Sequence, residues 1–518
     1  MNADRPWDEE RDVVVVGSGG GGLTGAWTAA RSGLDVLLLE ASQKYGGTTA
    51  YSGGGLWFPG NVLLRDAGLG GSQESARNYF HAVVGDRTPR ALQDAFLAAG
   101  PALVDRLLTD DALVFEPFAW PDYFGAVPGA EAVRQIVALP LDPAELGALA
   151  AELRPTLKVD RAGAPAPDLL VGGQALVGRL LLALSRQPSA ELRLRSACDE
   201  LVVEGGRVVG VVVDQGGARR RIRARHGVLL ASGGFERNAA MRAEYGVPGS
   251  VTGAMGPEGN QGLAIRAAIA IGADTDLMDQ AWWAPGVAHP DGSTSFSLWF
   301  TGGIFVDTAG RRFVNESLPY DRIGRAVIDA QRAGTVGTTY WMVYDDREGT
   351  APPVRSTTLP LAPEHEYAAA GLWRSADTLA GLAEAIGVPA DGLERTVRDF
   401  NEHAASGVDA DFGRGDEAYD RAFSGGESPL VPIEKGPFHA AAFGLADLGT
   451  KGGLRTDAAA RVLDRTGAVI PGLYAAGNSM AAVSGTTYPA GGNPIAASMV
   501  FSHLAALDMT NHDISSHE

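Results

Sequence analysis

Val13-Val14-Val15-Val16-Gly17-Ser18-Gly19-Gly20-Gly21-Gly22, then Val36-Leu37-Leu38-Leu39-Glu40 and Gly46-Gly47, is the stretch that decides the fold. An apolar run enters a glycine turn. A small-residue segment follows, then a second apolar run that ends in an acid. The order reads as strand, turn, helix and strand. Each part has a physical task in holding a dinucleotide. Gly17 permits the tight turn, Gly19 lets backbone approach a pyrophosphate, and Gly22 lets the helix lie close to the strand. The helix start offers unpaired N–H groups and partial positive charge to phosphates. Glu40 stands 18 residues after Gly22, where a carboxylate accepts ribose hydroxyls.

The rest of the composition narrows the class. The chain has 518 residues and a formal charge of −19, which disfavours nucleic acid and anionic surfaces as partners. The length predicts roughly two to four domains. The single cysteine, Cys198, rules out an internal disulfide framework and a multi-cysteine metal site, and reads as core. The nine histidines show no H-x-x-x-H spacing, so no metal is expected. Residues 1–12 are polar and mainly acidic, unlike a secretory signal, and no long apolar run suggests a membrane span. The expectation is a soluble cytoplasmic protein, with loose membrane attachment compatible.

Along the chain, residues 12–40 form the first βαβ portion and 46–60 a glycine-rich loop. Thr88-Pro89 predicts a helix start, with Thr88 as N-cap and the helix running to Leu107. Residues 143–171, rich in Pro, Ala and Asp, read as including surface loop, 174–186 as helix, and 200–214 as a hairpin around Gly205-Gly206. Residues 227–234 are another strand entering a glycine turn. An aromatic-rich region follows, with helices near 376–386 and 390–404, and then a short strand at 472–478. A helix over about 495–507 and a disordered polar tail at 511–518 close the chain. The division expected is 1–279 and 449–518 as one domain, with 280–448 inserted into it.

Two features favour FAD over NAD. The fingerprint lies near the start of the chain while Gly477-Asn478 lies near its end, where a returning strand meets a flavin ribityl chain. Gly46-Gly47-Thr48-Thr49 follows Glu40 closely, as in proteins that wrap extended FAD. The expected fold is α/β, a Rossmann-like FAD-binding domain with an inserted α+β catalytic domain.

These features resemble the fumarate reductase-like flavoproteins. Nearly the whole chain resembles the 3-ketosteroid Δ1-dehydrogenase family. The resemblance is carried by Pro121-Asp122-Tyr123, Leu277-Met278-Asp279-Gln280-Ala281-Trp282, Asn315-Glu316-Ser317-Leu318-Pro319-Tyr320-Asp321, Asp447-Leu448-Gly449-Thr450-Lys451-Gly452-Gly453-Leu454 and Ala497-Ser498-Met499-Val500-Phe501-Ser502. It implies non-covalent FAD and removal of two hydrogens from C1 and C2 of a 3-ketosteroid, with proton abstraction at C2 and hydride transfer from C1 to flavin N5.

The resemblance also implies roles. Tyr488 and the Gly492 N–H polarise the ketone, Tyr320 is the base, and Tyr123 is hydrogen-bonded to it and passes the proton outward. A phenol with its ordinary pKa near 10 needs a helping neighbour or alkaline conditions to act as a base. Trp120 and Phe296 are expected to line the substrate pocket, together with Tyr488 and Gly492. The cofactor residues expected are Gly17, Ser18, Gly19, Gly20, Gly22, Glu40, Ala41, Gly46, Gly47, Thr48, Ser52, Gly53, Gly54, Gly233, Asp279, Gly477, Asn478 and Ile495. Pro489-Ala490-Gly491-Gly492 departs from the family's Pro-Gly-Pro-Gly, and Thr486-Thr487 are unusual residues that face ligand if the loop allows it. The electron acceptor is not specified; a quinone-like one is compatible.

Three alternatives stand beside this reading. One is a 3-ketosteroid Δ4-(5α)-dehydrogenase. Another is a fumarate reductase-type enzyme, with Arg322 and Arg325 as carboxylate clamps but no histidine partners nearby. The third is a flavin-binding redox sensor, for which one cysteine provides no disulfide relay.

Overall fold

A computed structural model describes residues 6–424 and 428–514, the side chains of 512–514 excepted. The four valines close the strand Glu9–Val16 and are all buried. Burial on both faces suits a continuous apolar run in a parallel sheet. Val36–Leu39 lies parallel on one side, in register from Val13 opposite Val36 to Val16 opposite Leu39. Ala218–Leu230 lies parallel on the other side. Ala190–Arg193 and Val469–Ala475 extend the two flanks, also in parallel. The late strand therefore sits two places from the first, across Ala218–Leu230.

The helix Gly20–Arg31 makes the crossover from the first strand. Its closeness to the sheet turns on two glycines. Gly17 has φ +106°, and a Cβ there would stand 2.3 Å from the Ala231 carbonyl oxygen. A Cβ on Gly22 would stand 1.9 Å from the Gly17 oxygen. The hairpin Ala197–Glu204 and Arg207–Gln215 turns through Gly205 and Gly206, both at positive φ, the pattern of a type I′ turn.

A second, seven-stranded sheet draws all its strands from residues 281–450. Phe438–Thr450 pairs with Ala281–Ala288, Tyr340–Asp345 and Trp373–Ala376. The helix Tyr320–Arg332 lies on Ala281–Ala288, and Gly324 permits this, since a Cβ there would stand 2.8 Å from the Trp283 Cβ. That contact sets the height of the helix start, and so of Tyr320. A small sheet of Leu56–Trp57, Gln135–Ala138 and Phe115–Phe118 delivers the chain to Trp120 and Tyr123.

Several local expectations need correction. The helix Arg90–Leu107 begins after Pro89, and the Thr88 hydroxyl donates to the Val483 carbonyl at 2.7 Å instead of capping it. Within 143–171 lie a 3₁₀ segment, Pro143–Glu152, and a short helix, Leu157–Ala162. The last helix, Asn493–Ile514, outruns position 507 and takes up the start of the presumed tail, because Met509 is buried and Asp508 accepts from the Tyr474 hydroxyl at 2.8 Å. Residues 515–518 lie outside the described residues. Among the described residues, no helix is long and apolar enough to cross a membrane.

Gly22→Ala is expected to lower the unfolding free energy by about 3 kcal/mol, the upper end of overpacking costs, because the clash is with backbone. Gly259→Ala, where a Cβ meets nothing within 4 Å, should leave it within about 0.5 kcal/mol. Urea unfolding of the two variants measures both; equal midpoints would refute the close-packing account.

Candidate active site

The glycine turn builds a cradle. Gly19 caps the helix Gly20–Arg31 without any side-chain cap, and a Cβ on Gly19 would meet only the Thr49 hydroxyl, at 3.5 Å. The Gly20 N–H donates to that hydroxyl at 3.0 Å. Glu40 accepts from the Ser18 hydroxyl at 2.6 Å and from the Ser42 N–H at 2.9 Å, and the Gly46 N–H donates to Ser18 Oγ. Gly47 lies against Gly19, and Ile495 borders Gly20. Thr48 accepts from Asn260 at 2.9 Å. Ser52 accepts from the Gly54 N–H at 3.1 Å, next to Gly53. Gly233 packs on Asn260 and Gly477 on Ser498. Asn478 accepts from Trp282 Nε1 at 3.3 Å. Helix-start N–H groups, a carboxylate at the end of the second strand and small residues along one groove fit an extended dinucleotide. Ala41 is exposed at the end of the groove. Asp279 is exposed beside Arg87, outside this set of contacts.

The three tyrosines converge. Tyr123 comes from the loop joining Phe115–Phe118 to Gln135–Ala138 in the small sheet, Tyr320 from a helix start, and Tyr488 from the loop before the last helix. Their rings pack edge to face, with centroids 5.1–5.6 Å apart. The Tyr320 hydroxyl donates to the Tyr488 oxygen at 3.0 Å. This differs from the expected Tyr123–Tyr320 bond: Tyr123 Oη lies near Tyr320 and Trp120 Nε1 but reaches hydrogen-bond geometry with neither. Tyr123 is also fully buried. Burial raises the pKa of all three phenols, opposed at Tyr488 by the bond from Tyr320 and by the nearby Gly492 N–H. Gly492 has φ +78°, and a Cβ there would stand 2.5 Å from the Gly55 carbonyl carbon.

Buried charges hold these phenols in place. Asp122 accepts from Arg134 at 2.7 Å and from Trp57 Nε1 at 2.9 Å, fixing the residue before Tyr123. Burial pushes Asp122 up to about 6 against the pull of Arg134. The Tyr123 N–H donates to the Pro489 carbonyl, which also accepts from the Tyr79 hydroxyl at 2.6 Å. Lys451, fully buried, donates to the Thr487 carbonyl at 2.6 Å. The Thr487 hydroxyl donates to the Ser484 carbonyl, so this part of the loop is turned inward.

The aromatics form a separate apolar cluster around the tyrosines. Phe296 packs edge-on against Tyr320 at 4.8 Å. Trp120 is half-buried and packs, tilted, against Trp299 and Phe423, which stack on each other 4.9 Å apart. Trp299 has φ +64°, a strained conformation for so bulky a residue. A pocket of about 340 Å³ is lined by Trp299, Tyr320, Tyr419 and Phe423. Gly491 explains the departure in its loop. A Cβ there would meet Trp120 Nε1, Tyr123 Oη and Gln135 Nε2 at 2.8–3.1 Å, so only glycine fits under Trp120.

Arg322 donates to Glu417 at 2.7 Å and to the Tyr123 carbonyl, and Arg325 donates to Asp321 at 2.8 Å. Neither is placed to clamp a dicarboxylate. The residues missed from sequence are Lys451, Glu236, Tyr419 and the Asp122–Arg134 pair. Lys451 and Asp122 stood within the quoted stretches, but only their burial reveals a role.

Residues 12–495 match the FAD binding domain family. The chain is 37% identical to a 3-oxosteroid 1-dehydrogenase of Mycolicibacterium smegmatis, over 97% of each protein. It is 34% identical to a 4-oxocyclohexanecarboxylate 2-dehydrogenase of Sinomonas cyclohexanicum, over 95% of this chain and 92% of that one. Among solved structures it is similar to a 3-ketosteroid Δ1-dehydrogenase from Sterolibacterium denitrificans in complex with 1,4-androstadiene-3,17-dione. There the TM-score is 0.88 and identity 32%, covering 97% of this chain and 100% of that one.

Glu236, buried beside Asn260 and Asp447, is raised from 4.5 to about 7, chiefly by burial. Between these values the native state holds a proton that the unfolded chain has lost, so stability falls as pH rises. Glu236→Gln should match the wild type in melting temperature near pH 5. It should exceed the wild type at pH 8, by up to about 3 kcal/mol of stability. Thermal melts at both pH values check this; a difference independent of pH would contradict it.

Proposed function

The chain belongs to the FAD binding domain family and, within it, to the 3-oxosteroid 1-dehydrogenases, and from that premise we propose that it introduces a C1–C2 double bond into 3-ketosteroids. The observation that carries the reading is the convergence of the Tyr320 and Tyr488 hydroxyls, 3.0 Å apart, with Tyr123 packed edge-on against both rings. FAD fits the cradle at Gly19, where backbone faces open space that any side chain would enter. Bound FAD supplies the acceptor for the hydride leaving C1.

The chain's own residues do the rest. Tyr488 Oη and the Gly492 N–H take the ketone oxygen between them and stabilise the negative charge that grows there. One such donor is worth on the order of 3 kcal/mol in a dry site. Tyr320 Oη, at the start of its helix, accepts the C2 proton that polarisation has made acidic. Tyr123, edge-on to both rings, packs behind the base and is the next hydroxyl in line for the proton. Phe296 and Trp120 hold the flat apolar rings and exclude water. The division into 1–279 with 449–518 and an inserted 280–448 is supported by the two sheets' separate origins. We place the protein in the cytoplasm, with loose membrane attachment compatible.

Anaerobic mixing with androst-4-ene-3,17-dione should bleach the flavin, and the product should carry its new double bond at C1–C2. A double bond made at C4–C5 from a saturated ketosteroid would favour the Δ4 alternative instead. Oxidation of reduced flavin by fumarate would favour the dicarboxylate one. Bleaching by 4-oxocyclohexanecarboxylate but by no steroid would move the substrate to a single-ring ketone. Tyr320→Phe should keep FAD and slow bleaching by about 10²–10⁴, the usual contribution of a general base. Since burial raises the pKa of Tyr320 and the base acts deprotonated, the wild-type rate should climb from neutral to alkaline pH. A Tyr320→Phe enzyme of normal speed would remove Tyr320 as the base.

A further inference from the structure

Lys451 follows directly on the central strand Phe438–Thr450 and is fully buried. Its ammonium touches both segments that carry the proposed chemistry. Nζ donates to the carbonyls of Thr486 and Thr487, at 3.4 and 2.6 Å, immediately before Tyr488. It lies 3.9 Å from Asp321, immediately after Tyr320. It also sits 4.1 Å from the centroid of the Trp282 ring and 5.9 Å from that of Tyr488. Trp282 in turn donates to Asn478 and packs edge-on against Tyr488 at 4.8 Å. A buried ammonium is costly unless something in its surroundings needs the charge.

We propose that Lys451 is a positioning residue whose cation, held between the Tyr320 and Tyr488 segments, makes Tyr488 a stronger donor to the ketone oxygen. The inference rests on the dehydrogenase reading and deepens it. The loop carbonyls fix the ammonium, and the ammonium fixes the loop, so Tyr488 keeps its aim when Tyr320 gives up its hydrogen bond. Charge growing on the ketone oxygen is passed to the Tyr488 phenol, and a cation beneath that ring favours the shift. The groups facing Nζ agree with this. Asp321 favours the charged amine while burial and Arg325 oppose it, leaving its pKa lowered to about 7. Negative charge building at Tyr488 is then what keeps the proton on Lys451.

Three variants separate charge from packing. Lys451→Met removes charge and donors, Lys451→Gln keeps donors and removes charge, and Lys451→Arg keeps both. Each is purified with FAD, steroid affinity is read from the flavin spectrum on adding 1,4-androstadiene-3,17-dione, and bleaching by androst-4-ene-3,17-dione is timed in single turnover. The expected result is affinity within three-fold of wild type in all three. The limiting bleaching rate should fall about 100-fold in the Met and Gln variants and stay within about ten-fold in the Arg variant, as loss and retention of charge at a developing oxyanion require. A Gln variant as fast as wild type overturns the proposal. So does a Met variant whose affinity and rate fall together, or loss of FAD from all three, since the role is then structural. If the wild-type flavin is bleached by no 3-ketosteroid, the functional reading fails first and this inference with it. Normal wild-type bleaching with unaffected variants sinks this inference alone.

Discussion

The strand Ala218–Leu230 is the constraint on which the rest depends. It takes Glu9–Val16 along one edge and Val469–Ala475 along the other, both parallel. Leu230 stands opposite Val16 on one side and Ala475 on the other. That register brings the glycine turn after Val16, the turn at Gly233 and the turn at Gly477 to one end of the sheet. Carboxyl ends of parallel strands are where an α/β sheet binds its ligands. A slip of one residue would move the three turns out of line with one another at that end.

The second sheet is anchored to this end through Thr450. Its hydroxyl accepts from the Phe235 N–H at 3.0 Å, just past the turn at Gly233. The next residue is Lys451, and beyond it the chain returns to the first sheet. One short stretch thus joins the cradle to the phenols. The phenols themselves are shaped by desolvation. Three hydroxylated rings in one dry cluster all resist ionisation, so charge must be managed by neighbours: a peptide N–H at Gly492 and a buried cation at Lys451.

The cradle was legible in the sequence because it is local. Gly17, Gly22 and Glu40 fall within one strand–helix–strand unit whose spacing follows backbone geometry. Tyr123, Tyr320 and Tyr488 became visible only through the family resemblance, since nothing in their spacing brings positions 123 and 488 together. Their hydrogen bonding was misjudged for the same reason: which hydroxyl faces which depends on helix height at Gly324 and on the room left at Gly491. Lys451 looked like any lysine in a glycine-rich turn. Nothing local in Pro121-Asp122-Tyr123 predicts that Asp122 is buried with Arg134. The Thr88 cap was lost to a tertiary partner, Val483, that local rules cannot see.

The flanking position of Val469–Ala475 has a consequence for biosynthesis. Roughly 240 residues separate it from Leu230, the last residue of the strand it must join. At about 5–20 residues per second, a ribosome needs roughly 10–50 s to make that length. For that time the Val228–Leu230 end of this edge stands unpaired, although Arg207–Gln215 already covers Ala218–Arg223, and it is at risk of joining another chain. The inserted strands are made in this interval, and the second sheet can fold as it emerges, shortening the reach to the final strand. The order of translation thereby makes closure of the flavin end of the sheet one of the last events in the maturation of the chain.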